Sequence, residues 1–370
     1  MNLEPGAARA TPLTEIIDAA LQQAGGWLPF DRFMALALYA PGLGYYANDS
    51  RKFGRMPASG SDFVTAPEMT PLFGRTLAVQ VAEALRQTAT HEVWEFGAGT
   101  GALAAQLLDA LDAMGAGVER YRIVDLSGAL RARQQQGLAR HAHKVEWLDE
   151  LPPALRGVVV GNEVLDAMPV QLLLRRAGQW HERGVVRREE GGYAWADRPT
   201  ALRPPIEVPG PHDYLTEIHP QAEAFIATLA DRLQQGAAFF IDYGFPEAEY
   251  YHPQRHMGTV MCHRGHRADD DPLSDVGAKD ITAHVNFSGI ALAGQAAGLE
   301  VLGYCSQARF LLNAGILPMM GEAALAERTM AARLIHEHEM GELFKVIGFA
   351  SAGSGWEATG FAEGDRSHAL

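Results

Sequence analysis

Three glycines at alternate positions, Gly97, Gly99 and Gly101, follow the apolar run Val93-Trp94 and the acid Glu95. Glycines at that spacing let the backbone turn tightly and approach a ligand with no Cβ in the way. The alanine- and leucine-rich stretch behind them places Leu103, Leu107, Leu108 and Leu111 near helical spacing. The segment from His91 to Ala105 therefore reads as strand, glycine turn, helix. A second strand pattern, Tyr121-Arg122-Ile123-Val124, ends at Asp125, twenty-four residues after Gly101. A carboxylate there can accept hydrogen bonds from both hydroxyls of a ribose. The spacing E-x-GxGxG suits S-adenosylmethionine better than a nicotinamide dinucleotide, because no pyrophosphate needs the wider GxGxxG cradle. The bland alternative is a glycine turn that holds nothing, and the two acids weigh against it.

A second group of polar residues closes another apolar run. Gly157-Val158-Val159-Val160 is apolar throughout, as parallel strands buried on both faces are, and it leads into Asn162, Glu163 and Asp166. Ligand chemistry in open α/β sheets gathers at the carboxyl ends of strands. The competing reading makes Asn162 a helix N-cap with the two acids in the first turn, where Asp166 would share the face of Glu163. A carboxylate can cap and react at once, so both readings stand.

The elements that must position these groups follow from the pattern along the chain. Residues 14–38 read as two short helices broken at Gly25-Gly26, with Pro29 near the start of the second. Residues 39–74 form a long loop rich in Gly, Pro and Tyr, carrying Asp62, Phe63, Thr65 and Glu68; it is either a lid or an extended arm packed on the core. A helix from Phe73 to Leu85 leads into the glycine-turn strand. Beyond Asp125 come a helix over 129–138 and strands at 144–148 and 157–160. Residues 170–198 alternate as an antiparallel meander, and Glu217 and His219 open a helix running to Leu233. A fifth sheet strand spans 237–241 and ends at Asp242. A helix over 290–297, a strand over 299–304, a helix over 325–339 and a last strand over 344–350 complete the core, and residues 351–370 read as a frayed end. The chain so divides into N-terminal helices and lid-like loop (1–75), a cofactor-binding half (76–169), an inserted meander and helix forming a substrate cap (170–236), a second core half with an irregular insertion at 245–285 (237–350), and a tail (351–370).

Bulk properties set limits on partners. With 370 residues, 47% hydrophobic and 21% charged, the chain has the composition of a soluble globular protein with more than one compact core's worth of residues. Its net charge is −14 with no strong basic block, which argues against nucleic acid as a partner. No run reaches the roughly eighteen apolar residues of a membrane helix. The two cysteines, Cys262 and Cys305, fit a reducing compartment, and the N-terminus lacks the apolar core of a secretory signal, so the cytoplasm is the expected location.

Nine blocks in order between residues 36 and 348 resemble one family, the MidA-type S-adenosylmethionine-dependent methyltransferases: ALYAPGLGYYA, SDFVTAPE, EFGAGTGALA, NEVLDAMPV, HERGV, FIDYG, DITAHVNFS, QARFLLNAGI and MGELFKVIG. The glycine turn carries Ala98 and Thr100 where the family more often has proline and arginine, and Asn286 stands where aspartate is expected. The resemblance implies a class I methyltransferase fold, a Rossmann-like seven-stranded α/β sheet with helices on both faces and its last strand antiparallel. It implies S-adenosylmethionine at Gly97, Gly99, Gly101 and Asp125, with Glu95 and Asn162 beside it. It places Glu163 and Asp166 at the reacting end; independently of the resemblance, Asp62 stands on the long loop, which could close over the site. Mitochondrial members of the family methylate an arginine of a respiratory complex I subunit and assist its assembly, so a protein bearing an arginine is the implied partner. The oligomeric state, a homodimer among the options, stays open.

Arginine makes this chemistry demanding, because its nitrogens are delocalised and the group stays charged. A bidentate carboxylate fixes the guanidinium plane and draws positive charge away from the attacking nitrogen. Glu163 is the first candidate, Asp166 the second and Glu217 a weaker third. Two rival classes remain: a small-molecule O- or N-methyltransferase, and a non-catalytic assembly factor that keeps the cofactor fold. His252, His256, Cys262, His263 and His266 crowd fifteen residues but match no standard zinc spacing, so no metal is expected. Asp280, Thr282 and His284 read either as substrate-facing or as a buried hydrogen-bond cluster, the second slightly favoured. Tyr45, Tyr46 and Trp180 read as packing residues.

Overall fold

The computed structural model describes residues 11–48, 64–125 and 128–370. They gather into two compact units. One draws its described residues from Arg51–Asp166, Ala222–Glu247 and Val285–Leu370, the other from Met1–Ser50, Ala167–Gln221 and Ala248–His284.

The first of these units is built on one sheet. Its main strands are β1 (Glu92–Phe96), β2 (Arg120–Val124), β3 (Val145–Leu148), β4 (Leu155–Asn162), β5 (Leu233–Phe245), β6 (Glu300–Ser306) and β7 (Phe344–Ala350). Their spatial order is β3-β2-β1-β4-β5-β7-β6. The pairs from β3 to β5 are parallel, and β7 runs antiparallel to both its neighbours. A further two-residue strand, Val285–Asn286, pairs with the end of β5 off this path, one more than the seven implied. The strand order reverses at β1 and β4, so a crevice opens at their carboxyl ends, where doubly wound sheets bind ligands.

The helices are α1 (Leu72–Gln87), α2 (Ala102–Ala113), α3 (Gly128–Gly137), α4 (Pro220–Arg232), α5 (Phe287–Ala296), α6 (Gln307–Asn313), α7 (Ile316–Glu322) and α8 (Leu325–Ile335). Side chains alternate across a strand, and this decides which helices each meets. Val93, Ile123, Val158, Val160, Phe239 and Ile241 share one apolar cluster with Leu77 and Val81 of α1 and with Leu107 and Leu111 of α2. From the opposite face, Phe96 and Phe240 meet Phe225 of α4 edge-on, at 5.2 and 5.9 Å. Helices thus cover both faces, as the apolar β4 requires.

The C-terminal residues are packed rather than frayed. Phe361 is buried and lies so close to Gly303 of β6 and Gly348 of β7 that neither position has room for a Cβ. Glu83 and Gln80 of α1 hold the same turn by accepting from the Thr359 and Gly360 amides, at 3.0 and 2.6 Å. The small polar composition concealed one aromatic anchor and its long-range partners.

The other unit contains a five-stranded antiparallel sheet. Gln171–Arg176 lies between Gln179–Arg187 and Tyr214–Ile218, and Leu28–Pro29 and Tyr193–Pro199 both pair with Gln179–Arg187. The three strands of the predicted meander are all present. Helices Pro12–Gln23 and Phe30–Tyr39 pack here, separated at Gly25 and Gly26, both with positive φ. Thr11 caps the first through a reciprocal pair with Thr14. Within 245–285 a small sheet forms from Met261–Arg264, Arg267–Asp269 and Asp280–Thr282. The helix predicted to open at Glu217 starts instead at Pro220, because proline fits the first helical position and YLTEI alternates as a strand.

Candidate active site at the carboxyl ends of β1, β2 and β4

Gly97, Gly99 and Gly101 all adopt positive φ, at +63°, +54° and +83°. These are left-handed conformations that cost an L-residue roughly 1–2 kcal/mol. The turn leaves β1 with the Gly97 amide donating to the Val124 carbonyl at the end of β2, 3.2 Å away. Gln134 of α3, fully buried, ties the turn to its surroundings. Its Nε2 donates to the Gly99 carbonyl at 2.9 Å and to Asp125 Oδ2 at 2.8 Å, and its Oε1 accepts from Trp147 Nε1 at 2.9 Å. Asp125 therefore stands beside the glycine turn at the end of β2. On the other side Thr100 Oγ1 donates to Glu68 of the short helix Ala66–Met69. Gln134 was not foreseen; its partners lie 9, 13 and 35 residues away, beyond any local pattern.

Glu95 lies inside this framework. It is 2% exposed, and Tyr121 Oη donates to its Oε2 at 2.6 Å. Burial pushes its carboxyl up to about 8; the Tyr121 bond pulls it down and the Asp125 charge adds to the rise.

The stretch after β4 is a turn, and no helix follows Asn162. Helix capping therefore does not explain its acids, and Asp166 does not share a helical face with Glu163. Glu163 takes φ +54°, a left-handed conformation that non-glycine residues hold only when their surroundings impose it. Its amide donates to the Ile241 carbonyl at 2.9 Å, and its Oε1 accepts from Asn162 Nδ2 at 3.0 Å. The amides that follow Glu163 meet Asp242, 1% exposed at the end of β5. Its Oδ2 accepts from the amides of Val164, Leu165 and Asp166 at 3.1, 2.9 and 3.2 Å, and its Oδ1 from the Tyr243 amide at 3.0 Å. Burial, then the charges of Asp166 and Glu163, push the Asp242 carboxyl well up. Tyr243 Oη donates to Asp166 Oδ2 at 2.6 Å. Asp242 and Tyr243 stood in the sequence as a strand end and inside the block FIDYG, with no role assigned to either. The register that pairs Ile241 with Asn162 makes them part of this site.

The remaining candidates separate clearly. Asp62 lies outside the described residues. Glu217 is fully buried with both oxygens engaged: Oε1 accepts from the Thr259 and Val260 amides, and Oε2 from the Tyr250 and Thr259 hydroxyls. That makes it a structural carboxyl and not a guanidinium clamp. Asp280, 2% exposed, accepts from Tyr46 Oη at 2.9 Å, and Thr259 Oγ1 accepts from the His284 amide at 3.0 Å, which fits the buried-cluster reading. Asn286 caps α5 by accepting from the Gly289 amide, a role that needs no carboxylate. Tyr45 is buried. Among the described residues no group of three or more His, Cys, Asp or Glu is arranged to hold a metal ion.

The glycine turn, Asp125 and the β4 turn suit a nucleoside carried on a backbone cradle. A Cβ at Gly97 would press on Val164 Cγ2 at 3.1 Å from a left-handed backbone, so a side chain there is strained. Asn162 Oδ1 is buried with no hydrogen-bond partner among the described residues, an acceptor left for a donor such as an amine.

Residues 76–305 match the model of a family of S-adenosyl-L-methionine-dependent methyltransferases. A Burkholderia thailandensis protein crystallised with S-adenosyl-homocysteine is similar over 99% of this chain and 100% of its own, with 50% identity and a TM-score of 0.93. A native structure of an uncharacterised protein from the same organism is 49% identical over 99% of this chain and 100% of its own, with a TM-score of 0.88. The zebrafish protein arginine methyltransferase NDUFAF7, mitochondrial, is 26% identical over 86% of this chain and 80% of its own length. Its Caenorhabditis elegans homologue is 25% identical over 69% of this chain and 65% of its own length, so the match spans just under two thirds of that relative. The chain belongs to the S-adenosylmethionine-dependent methyltransferase family with which these residues align, and S-adenosylmethionine is its cofactor.

Proposed function

We propose that this methyltransferase acts on an arginine side chain of a protein. The observation that carries the reading is the β4 turn, which holds Glu163, half-buried, beside Asp166, buried, on a backbone fixed from β5. Bound S-adenosylmethionine supplies an electrophilic methyl group on a sulfonium. The protein's part is to orient the acceptor nitrogen in line with it, which is chiefly positioning. Glu163 and Asp166 would hold the guanidinium plane, draw its positive charge toward themselves and take up the proton shed by the methylated nitrogen. Gly97, Gly99 and Gly101 would let the backbone approach the cofactor, Asp125 would accept from its ribose, and Asn162 from its amine. Glu95, buried against Tyr121, would support the turn from beneath. The names of the curated relatives support arginine and a protein substrate.

The test is Glu163→Gln, which keeps the shape and one acceptor but removes the charge. Losing a charge-assisted contact in the transition state should cost about 3 to 4 kcal/mol, or roughly a hundred- to a thousandfold in kcat. Tritiated S-adenosylmethionine with arginine peptides, and with the same peptides carrying lysine, would measure it, while calorimetry follows S-adenosyl-homocysteine affinity. Label on the lysine series, or normal turnover by the variant, would refute the arginine reading.

A further inference from the structure

We infer that Asp242 is a positioning residue of the methyl-transfer site, its two carboxyl oxygens setting the backbone that aims Glu163 and Asp166. The functional part rests on the arginine reading; the anchoring itself does not. Three consecutive amides converge on one buried oxygen, Asp242 Oδ2, at 2.9 to 3.2 Å. The turn has no helix or ladder to satisfy those donors, and a buried N–H without an acceptor is costly. The other oxygen accepts from the Tyr243 amide at 3.0 Å, which fixes the carboxylate plane. Next to it Tyr243 Oη orients the Asp166 carboxyl. The Glu163 amide is held by the carbonyl of Ile241, the residue before Asp242. One strand end thus sets both acids: Glu163 in a left-handed conformation its own sequence does not favour, and Asp166 through amide and carboxyl together. Four donors meet the two oxygens, so only an acceptor at both ends of the side chain serves.

Asp242→Asn tests this, because it keeps volume and shape while placing an NH2 against one set of donors. Hydrogen exchange followed by mass spectrometry of peptides covering 161–170 should show at least tenfold faster exchange, with peptides of β5 before residue 242 unchanged. S-adenosyl-homocysteine affinity should stay within about threefold. The kcat for methylation of an arginine peptide should fall roughly a hundredfold with the KM for S-adenosylmethionine nearly constant, as a displacement of about 1 Å at a reacting group costs. Unchanged exchange over 161–170 overturns the proposal, and so does faster exchange with unchanged kcat. If wild-type protein binds cofactor but methylates no arginine peptide, the arginine reading fails, and the exchange result alone decides whether Asp242 anchors the turn. Should the variant not fold, wild-type exchange decides: amides of Val164, Leu165 and Asp166 exchanging as fast as open loops overturn it.

Discussion

Replacing Glu95 by glutamine should remove a pH dependence of stability that the wild-type protein carries. The Glu95 carboxyl is held at about 8 in the folded chain against an ordinary 4.5, chiefly by burial. The folded state therefore keeps a proton that the unfolded chain releases. Between pH about 4.5 and about 8 folding binds that proton, and stability falls as pH rises through this window. Below the window both states are protonated and the penalty is absent; above it both are ionised and the penalty is complete. The rise from 4.5 to about 8, at about 1.36 kcal/mol per pH unit, corresponds to about 5 kcal/mol at full extent. From pH 5.5 to 8.5 the part crossed is about 3 kcal/mol. Glutamine retains an oxygen for the Tyr121 hydroxyl and has no proton to lose. Urea unfolding of both proteins at pH 5.5, 7.0 and 8.5, without cofactor, gives the difference in stability at each pH, and shared titrations cancel. The glutamine variant should gain about 3 kcal/mol relative to wild type across the series. A difference that stays flat within 0.5 kcal/mol would show that Glu95 ionises in the folded protein without cost, and the burial argument would fail.

Two further substitutions probe other parts of the framework. Gly101→Ala forces an L-residue to φ +83° and brings a Cβ to 3.4 Å from Gln134, so stability should drop by about 1 to 2 kcal/mol and S-adenosyl-homocysteine should bind at least tenfold more weakly; native affinity by calorimetry would remove the turn from the cofactor site. Phe361→Ala should cost about 3 to 5 kcal/mol in urea unfolding, as truncation of a buried aromatic does, and a loss under 1 kcal/mol would mean that the tail is peripheral.

The parts of the site that were legible in the sequence are those whose residue type carries the geometry. Gly97, Gly99 and Gly101 announce a turn that needs positive φ, and all three have it. Val158 to Val160 announces a buried parallel strand because nothing polar interrupts it. The β4 turn was illegible for the opposite reason. Acids after an apolar strand look like the first turn of a helix, and the group that accepts from the amides of this turn, Asp242, sits 76 to 78 residues later. Gln134 and Phe361 were hidden in the same way: each looks ordinary among its neighbours in the chain, and each acts on residues brought close only by the sheet. Glu217 was misplaced because an acid three residues before a helix start resembles part of that helix, whereas strand alternation turned its side chain inward to meet Thr259 and Tyr250.

The position of β7 governs how the protein is made. β7 lies between β5 and β6 yet is the last strand to leave the ribosome, roughly a hundred residues after β5. Throughout that interval β5 shows an unpaired edge lined by Ala237, Ala238, Phe239, Phe240 and Ile241, all buried in the finished molecule. Such an edge is a template for another chain. β6 emerges first and has no partner in the sheet except β7, so it cannot cover that edge in the native register. In the native register that edge of β5 is closed only by β7. A chain stopped before residue 344 could bear the whole glycine turn, Asp125 and the β4 acids and still be lost to aggregation.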